Sequence, residues 1–339
     1  MKISKLTVLT IAVGVVLLSS CNNDELDIIE EQQVAAPTFS GTIVQLADIS
    51  ASKTKAGVIE DNADYADGEL FYWHNDDEIK VLFFEDGDLG STPVELIYSA
   101  VVPNETKPNS CEFTTTGSID PGNYAVYALY PADGWSKDET GYKAEFVQQN
   151  FIIFSEASSA HLKDYMFMKA DAGNVTISSE GNNNAINLHF QHLTSVIRFH
   201  VTSDTDANSL KINSLTFKEI SDANFFYYAA YLNNMNGMDI TPVAGSMCPS
   251  LHLLPWEELP FVKKGTAWKY DYYLPVFPTK TSTQDMLLGI ETYITIDEHN
   301  LQQETFDTRN GLSFSDELNF IPNGFEAGKS YYFNLRTTF

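Results

Sequence analysis

Beyond residue 36 the chain alternates apolar and polar side chains in short runs, each closed by Gly, Pro, Asn or Asp. A period of two puts successive side chains on opposite faces of an extended backbone, so these runs predict strands and not helices. Thr38–Ile49 is the first. Glu69–Trp73 and Glu78–Phe84 follow, split by the turn residues His74-Asn75-Asp76-Asp77. Val94–Val102, Cys111–Thr115 and Asn123–Tyr130 come next, the last after a tight turn at Asp120-Pro121-Gly122-Asn123. Ala144–Phe154 and Tyr165–Lys169 continue the pattern. After a polar stretch come Ile186–Val201, Leu210–Phe217, Tyr227–Leu232, Leu251–Leu254, Tyr270–Phe277, Leu287–Ile296 and Tyr331–Thr338.

Many short strands with few helical stretches predict an all-β protein in which antiparallel sheets pack face to face. Glu180-Gly181-Asn182-Asn183-Asn184 carries no large apolar side chain and lies near the middle of the strand-rich region. It is the expected junction between an N-terminal domain, 37–180, and a C-terminal domain, 185–339. No fixed-period repeat runs through the chain, which argues against a solenoid or propeller.

The N-terminus has a different pattern. Lys2 and Lys5 precede Leu6–Leu18, which is apolar apart from Thr7, Thr10 and Gly14. That run is too short for a stable membrane span, which takes about 20 residues, and has the length of a signal-peptide core. It ends in Leu18-Ser19-Ser20-Cys21, which resembles a bacterial lipobox. Residues 1–20 are therefore expected to be a lipoprotein signal peptide, with Cys21 acylated as the first mature residue. Acyl chains contribute about 0.8 kcal/mol per buried methylene, so several together anchor a protein firmly. Residues 21–36, rich in Asp and Glu, read as an acidic tether.

Charge narrows the partners. With 20 basic against 46 acidic residues the formal net charge is -26. Nucleic-acid binding depends on Lys and Arg neutralising phosphates, and docking on anionic lipid needs the same charge, so both are disfavoured. Apart from Cys21, the cysteines are Cys111 and Cys248. The preferred reading makes both small buried hydrophobes; the alternative is a disulfide, which an exported compartment allows.

The sequence holds no zinc-type Cys/His spacing, nucleophile elbow, His-Glu-x-x-His or phosphate loop. His189 and His192 lie three apart, so on a strand they face opposite ways and cannot easily share an ion. Asp86-Gly87-Asp88 and Asn75-Asp76-Asp77-Glu78 are acidic enough for calcium, but turn formation explains both. No metal or other cofactor is expected, and no catalysis. Trp135, Trp256 and Trp268 could form a sugar-stacking face or belong to the core, and the core reading is preferred.

Several segments together resemble the fimbrillin family of Bacteroidetes, the lipoprotein subunits of surface fimbriae. They are Trp73-His74-Asn75-Asp76-Asp77-Glu78-Ile79, Tyr127-Ala128-Leu129-Tyr130-Pro131 and Asp164-Tyr165-Met166-Phe167-Met168-Lys169-Ala170. Leu188-His189-Phe190-Gln191-His192-Leu193-Thr194-Ser195 and Gly328-Lys329-Ser330-Tyr331-Tyr332-Phe333 complete the set. The first has Asn or Asp where the family pattern has Gly. The resemblance implies two tandem transthyretin-like antiparallel β-sandwich domains. It implies a non-enzymatic structural subunit or adhesin of fimbriae on the outer membrane, anchored through Cys21 and assembled by β-strand exchange with other subunits or with itself. A host or glycan ligand is a further possible partner, and a surface glycan-binding lipoprotein is the alternative function. The acidic residues after Cys21 resemble the family's signal for export to the outer face.

Two further site assignments come from the resemblance. A trypsin-like cut after a basic residue would free the first strand, and Lys53 and Lys55 are equal candidates in Ser52-Lys53-Thr54-Lys55-Ala56-Gly57. A lysine there suits a general trypsin-like enzyme better than an Arg-specific one. The last strand, with Tyr331, Phe333 and Leu335 alternating, is either a donor strand for a neighbour or a permanent strand of the second domain.

Overall fold

The structure, a computed structural model, describes residues 33–48, 71–75, 77–102, 108–146, 151–154, 162–180, 185–203, 211–219, 224–255, 259–260, 262–264, 267–280, 288–297, 300–307 and 324–337. In 47–48, 151–154, 200–203, 211–215, 219, 255, 259–260, 262–264, 267–272, 288–297, 300–307 and 332–337 the description is of the backbone. Cys21, Lys53, Lys55 and Trp256 lie outside the described residues.

Seven strands close into a barrel. They are β1 (Phe39–Ile43), β2 (Glu78–Glu85), β3 (Val94–Val101), β4 (Ser110–Thr114), β5 (Gly122–Tyr130), β6 (Met168–Ile177) and β7 (Ile186–His192), in the spatial order β6-β7-β1-β4-β3-β2-β5. Neighbours are antiparallel except β7 and β1, which run parallel. Closure leaves no free edge in the sheet. β7 follows the polar stretch at 180–184, so the barrel takes strands from both sides of it.

Burial along the barrel strands explains their sequences. β1 and β7 bury alternate residues, one face inward and one toward solvent. β2 and β5 instead bury consecutive residues on both faces, Val81–Phe84 and Tyr124–Tyr130. Ile79, Val81, Phe83, Tyr124, Val126, Ala128 and Tyr130 point into the barrel. Leu82, Phe84, Ala125, Tyr127 and Leu129, on the opposite face, pack into a second aromatic core. A strand covered on both sides needs a continuous apolar run, which is why Tyr124–Tyr130 lacks a polar face.

The second core is enclosed by two larger sheets. One contains β8 (Ser195–Ser203), β11 (Ala267–Val276) and β14 (Lys329–Thr337); the other contains β9 (Lys211–Glu219), β10 (Ser250–Pro255), β12 (Leu288–Asp297) and β13 (Asn300–Asp307). In the first, β8 lies between antiparallel β11 and parallel β14. In the second the order is β10-β9-β12-β13, with Phe151–Phe154 parallel to β10 at one edge. Trp135–Lys137 and Tyr142–Glu145 pair onward to Ala229–Leu232, another link between the halves of the chain. Phe146, Phe167 and Phe277 form a triangle of near-parallel rings with centroids 4.7 to 6.2 Å apart.

Several expected strands differ. Phe71–Trp73, expected to end the strand Glu69–Trp73, is not in a strand. Thr38–Ile49 divides into Phe39–Ile43 and Ala47–Asp48, and Tyr227–Leu232 is broken at Tyr228 between Phe226–Tyr227 and Ala229–Leu232. Ile186–Val201 is broken at Leu193-Thr194, where the chain leaves the barrel as β7 and enters the other sheet as β8. Ala144–Phe154 similarly divides between Tyr142–Glu145 and Phe151–Phe154, in different sheets. Period-two patterning continues through a sheet change because both segments are extended. Tyr165–Lys169 starts instead as the short helix Leu162–Tyr165, and its strand begins only at Met168.

Candidate functional site

Residues 34–48 form a strap tied down along its length. Val34–Ala35 pairs with Ser118–Ile119. β1 then inserts between β7, where Phe39 to Ile43 face Ile186 to Phe190, and β4, where Phe39 to Thr42 face Phe113 to Ser110. Backbone bonds extend the seal: Ile186 N–H donates to Thr38 at 3.0 Å, Val44 N–H to Phe190 at 2.9 Å and Ile43 N–H to Asn109 at 2.8 Å. Just beyond, the Gln45 amide grips the Phe71 backbone twice, donating at 3.0 Å and accepting at 2.8 Å. Ala47–Asp48 finally lies parallel to Lys329–Ser330 of β14.

The inward face of β1 is Phe39, Gly41 and Ile43. Phe39 meets Tyr98 edge-on at 5.1 Å, and Ile43 is 3% exposed. Opposite Gly41 sits Trp73, whose ring meets Phe113 at 4.9 Å, Phe190 at 5.2 Å and Tyr130 at 5.3 Å, all edge-to-face. Its indole Nε1 donates to the Gly41 carbonyl at 3.0 Å. The strap is thus held by apolar side chains at its ends and by a backbone hydrogen bond to an aromatic cluster at its centre.

The remaining expected site residues fall as follows. β14 pairs with β8 throughout Val196–Ser203, with Tyr331, Phe333 and Leu335 opposite Ile197, Phe199 and Val201. Tyr331 is buried, and its hydroxyl accepts the Glu326 N–H at 2.8 Å. Trp135 is 2% exposed, with its indole donating to Tyr130 O at 3.1 Å, so it offers no sugar-stacking face. The side chain of Trp268 lies outside the described residues. His189 is exposed while His192 is buried on the opposite face of β7. Neither ring nitrogen of His192 has a hydrogen-bond partner among the described residues, and burial drives its pKa down to about 3. The Val44 backbone, close by but outside hydrogen-bond geometry, opposes this in part.

Asp86 and Gly87 have positive φ, and Asp88 accepts the Gly90 N–H at 3.0 Å, so these acids shape a turn. Asp77 is buried; its carboxylate accepts the Tyr130 hydroxyl at 2.9 Å and the His74 N–H at 2.7 Å. Cys111 and Cys248 are free thiols in different cores. Burial, with the Asp77 charge adding to it, pushes Cys111 up to about 12; burial takes Cys248 to about 11. Sequence reasoning missed Gly41 and the Gln45 clamp. An isolated glycine within a strand pattern does signal close backbone approach, and that signal was present in Phe39-Ser40-Gly41-Thr42-Ile43.

The model of the fimbrillin-like family matches residues 54–338. The chain belongs to the fimbrillin-like family. Among solved structures it resembles a candidate cell adhesion protein from Bacteroides fragilis NCTC 9343, at 13% identity over 89% of this chain and 93% of that one, with a TM-score of 0.50. A candidate cell adhesion protein from Bacteroides ovatus ATCC 8483 matches at 15% identity over 89% and 92% of the two chains, with a TM-score of 0.49. The fimbrial anchor protein Mfa2 from Porphyromonas gingivalis matches at 10% identity over 89% and 91%, with a TM-score of 0.35. No curated protein sequence matches the chain. This fimbrillin-like protein is nearly all β, as its strand patterning predicted.

Proposed function

We propose that this fimbrillin-like protein is a non-enzymatic structural subunit or adhesin of cell-surface fimbriae, joined to its neighbours by strand exchange. The observation that carries this reading is the placement of β1. It is one strand of a closed barrel, it arrives from the N-terminal side, and the segment that follows it holds Lys53 and Lys55. A cut after either lysine would sever the strap covalently while leaving it paired. Its departure would uncover the backbone edges of β7 and β4 together with the apolar space held by Phe39 and Ile43. Such an edge takes up a foreign strand, with main-chain hydrogen bonds giving affinity and alternate side chains giving specificity.

The same reading assigns the other end of the molecule. β14 is paired over its length with β8 and is kept as a permanent strand, so this subunit accepts a neighbour's strand and does not donate that one. A subunit of that kind stands at the end of a fibre or beside it. Acylated Cys21 would carry the precursor to the outer membrane, and the acidic body would stay clear of anionic surfaces.

The experiment is fractionation of cells expressing the protein, with and without Cys21→Ala. The reading expects the wild type in the outer membrane and in sheared fibres, and loss of both for the variant. Wild-type protein confined to the soluble periplasm, absent from sheared material, would overturn it.

A further inference from the structure

The slot filled by β1 is selective at its centre. Gly41 is an inward position, and its φ lies outside the left-handed region, so the requirement there is space and not backbone conformation. A Cβ at Gly41 would sit 2.5 Å from Phe113 Cε2 and 3.2 Å from Phe190 Cε2. Both rings are fully buried, and Trp73 is wedged edge-on against each. Swinging either ring aside would disturb a three-ring cluster that also holds the Gly41 carbonyl through the indole N–H. In a close-packed interior such a shift is resisted.

We infer that the strand completing this barrel in an assembled fibre carries a glycine at this register, flanked two residues before by an aromatic and two after by a branched aliphatic, and that it is therefore not the C-terminal strand of a second copy of this chain. The inference rests on the strand-exchange reading. Lys329–Thr337, the C-terminal strand of a second copy, contains no glycine. Placing Tyr331, Phe333 or Leu335 opposite Trp73 would drive a large side chain into Phe113. Sliding Gly328 into the position instead would put Glu326 and Ser330 where Phe39 and Ile43 now sit. A buried carboxylate without a partner and an unfilled apolar pocket both oppose that register.

The test uses the full chain carrying Gly41→Val, whose own strap no longer seats, and three labelled peptides. They correspond to residues 37–46, to residues 37–46 with valine at the glycine position, and to residues 329–338. Binding is read by native mass spectrometry and fluorescence anisotropy. The first peptide should bind, and the other two should bind roughly tenfold to a hundredfold more weakly. Equal binding of the valine peptide or of residues 329–338 overturns the glycine requirement while leaving strand exchange intact. Binding of none of them overturns strand exchange itself. Gly41→Ala serves as the second variant if the valine chain does not fold. In it, hydrogen exchange at residues 39–43 should be faster than in the wild type, and equal protection would overturn the requirement.

Discussion

The Tyr130 hydroxyl donates a 2.9 Å hydrogen bond to the Asp77 carboxylate across 53 residues of chain, with both groups buried. The bond joins the turn after Trp73 to the end of β5, two segments whose sequences look unrelated. Asp77 also closes its own turn through the His74 N–H, and its backbone carbonyl accepts the Ala100 N–H at 2.9 Å. Asp77→Ala should therefore cost more than Tyr130→Phe. The alanine strands a buried phenol and opens the turn, whereas phenylalanine leaves the carboxylate short of one donor. Losses of about 2–4 and about 1–3 kcal/mol are expected in urea unfolding at neutral pH. Negligible losses in both variants would show that the bond is not formed in solution.

His192 gives the protein an acid sensitivity with a definite sign. Its folded pKa of about 3 lies below the ordinary value of 6.5, so the unfolded chain binds a proton that the folded chain refuses. Stability should then rise with pH between about 3 and 6.5, with a slope approaching ~1.4 kcal/mol per unit, and the contribution should be flat above that window. His192→Phe should flatten this part of the profile. An unchanged slope in that variant would place the proton uptake elsewhere.

Both thiols should be silent in the native state. Cys111 and Cys248 are buried and their pKa values stand at about 12 and 11, so little thiolate forms near neutrality. Mature acylated protein should show no reaction with a thiol-specific reagent at pH 8 until denaturant is added, and then two groups. Two reactive groups before unfolding would contradict the packing, and none afterwards would indicate a disulfide.

Trp135 should matter to folding and not to sugar recognition. Trp135→Ala removes a ring packed edge-on against Phe167 at 5.5 Å and should destabilise by about 3–5 kcal/mol. Retention of any glycan ligand should be unaffected in the fraction that stays folded. A stable variant that loses only glycan binding would favour the lectin-like alternative.

How much of this was legible in the sequence depends on the kind of information needed. Strand content was legible because period-two alternation is local, as in Ile186–His192. The shift from alternation to continuous burial in Tyr124–Tyr130 was visible too, but its meaning, a strand shared by two cores, depends on what packs against each face. Breaks between sheets at Leu193-Thr194 were not legible, since the backbone stays extended through them. The strap was half legible. Phe39-Ser40-Gly41-Thr42-Ile43 reads as a strand, yet its insertion between β7 and β4 pairs it with residues about 150 and about 70 positions away, and no local signal specifies that.

The most direct test of strand exchange is the N-terminal sequence and peptide map of this protein recovered from sheared, purified fibres. The account predicts a chain beginning at Thr54 or Ala56, without residues 34–48, and cross-linked near Ser110–Phe113 to a strand from another subunit. Fibre-borne protein that still carries residues 34–48 paired in its own barrel would contradict it.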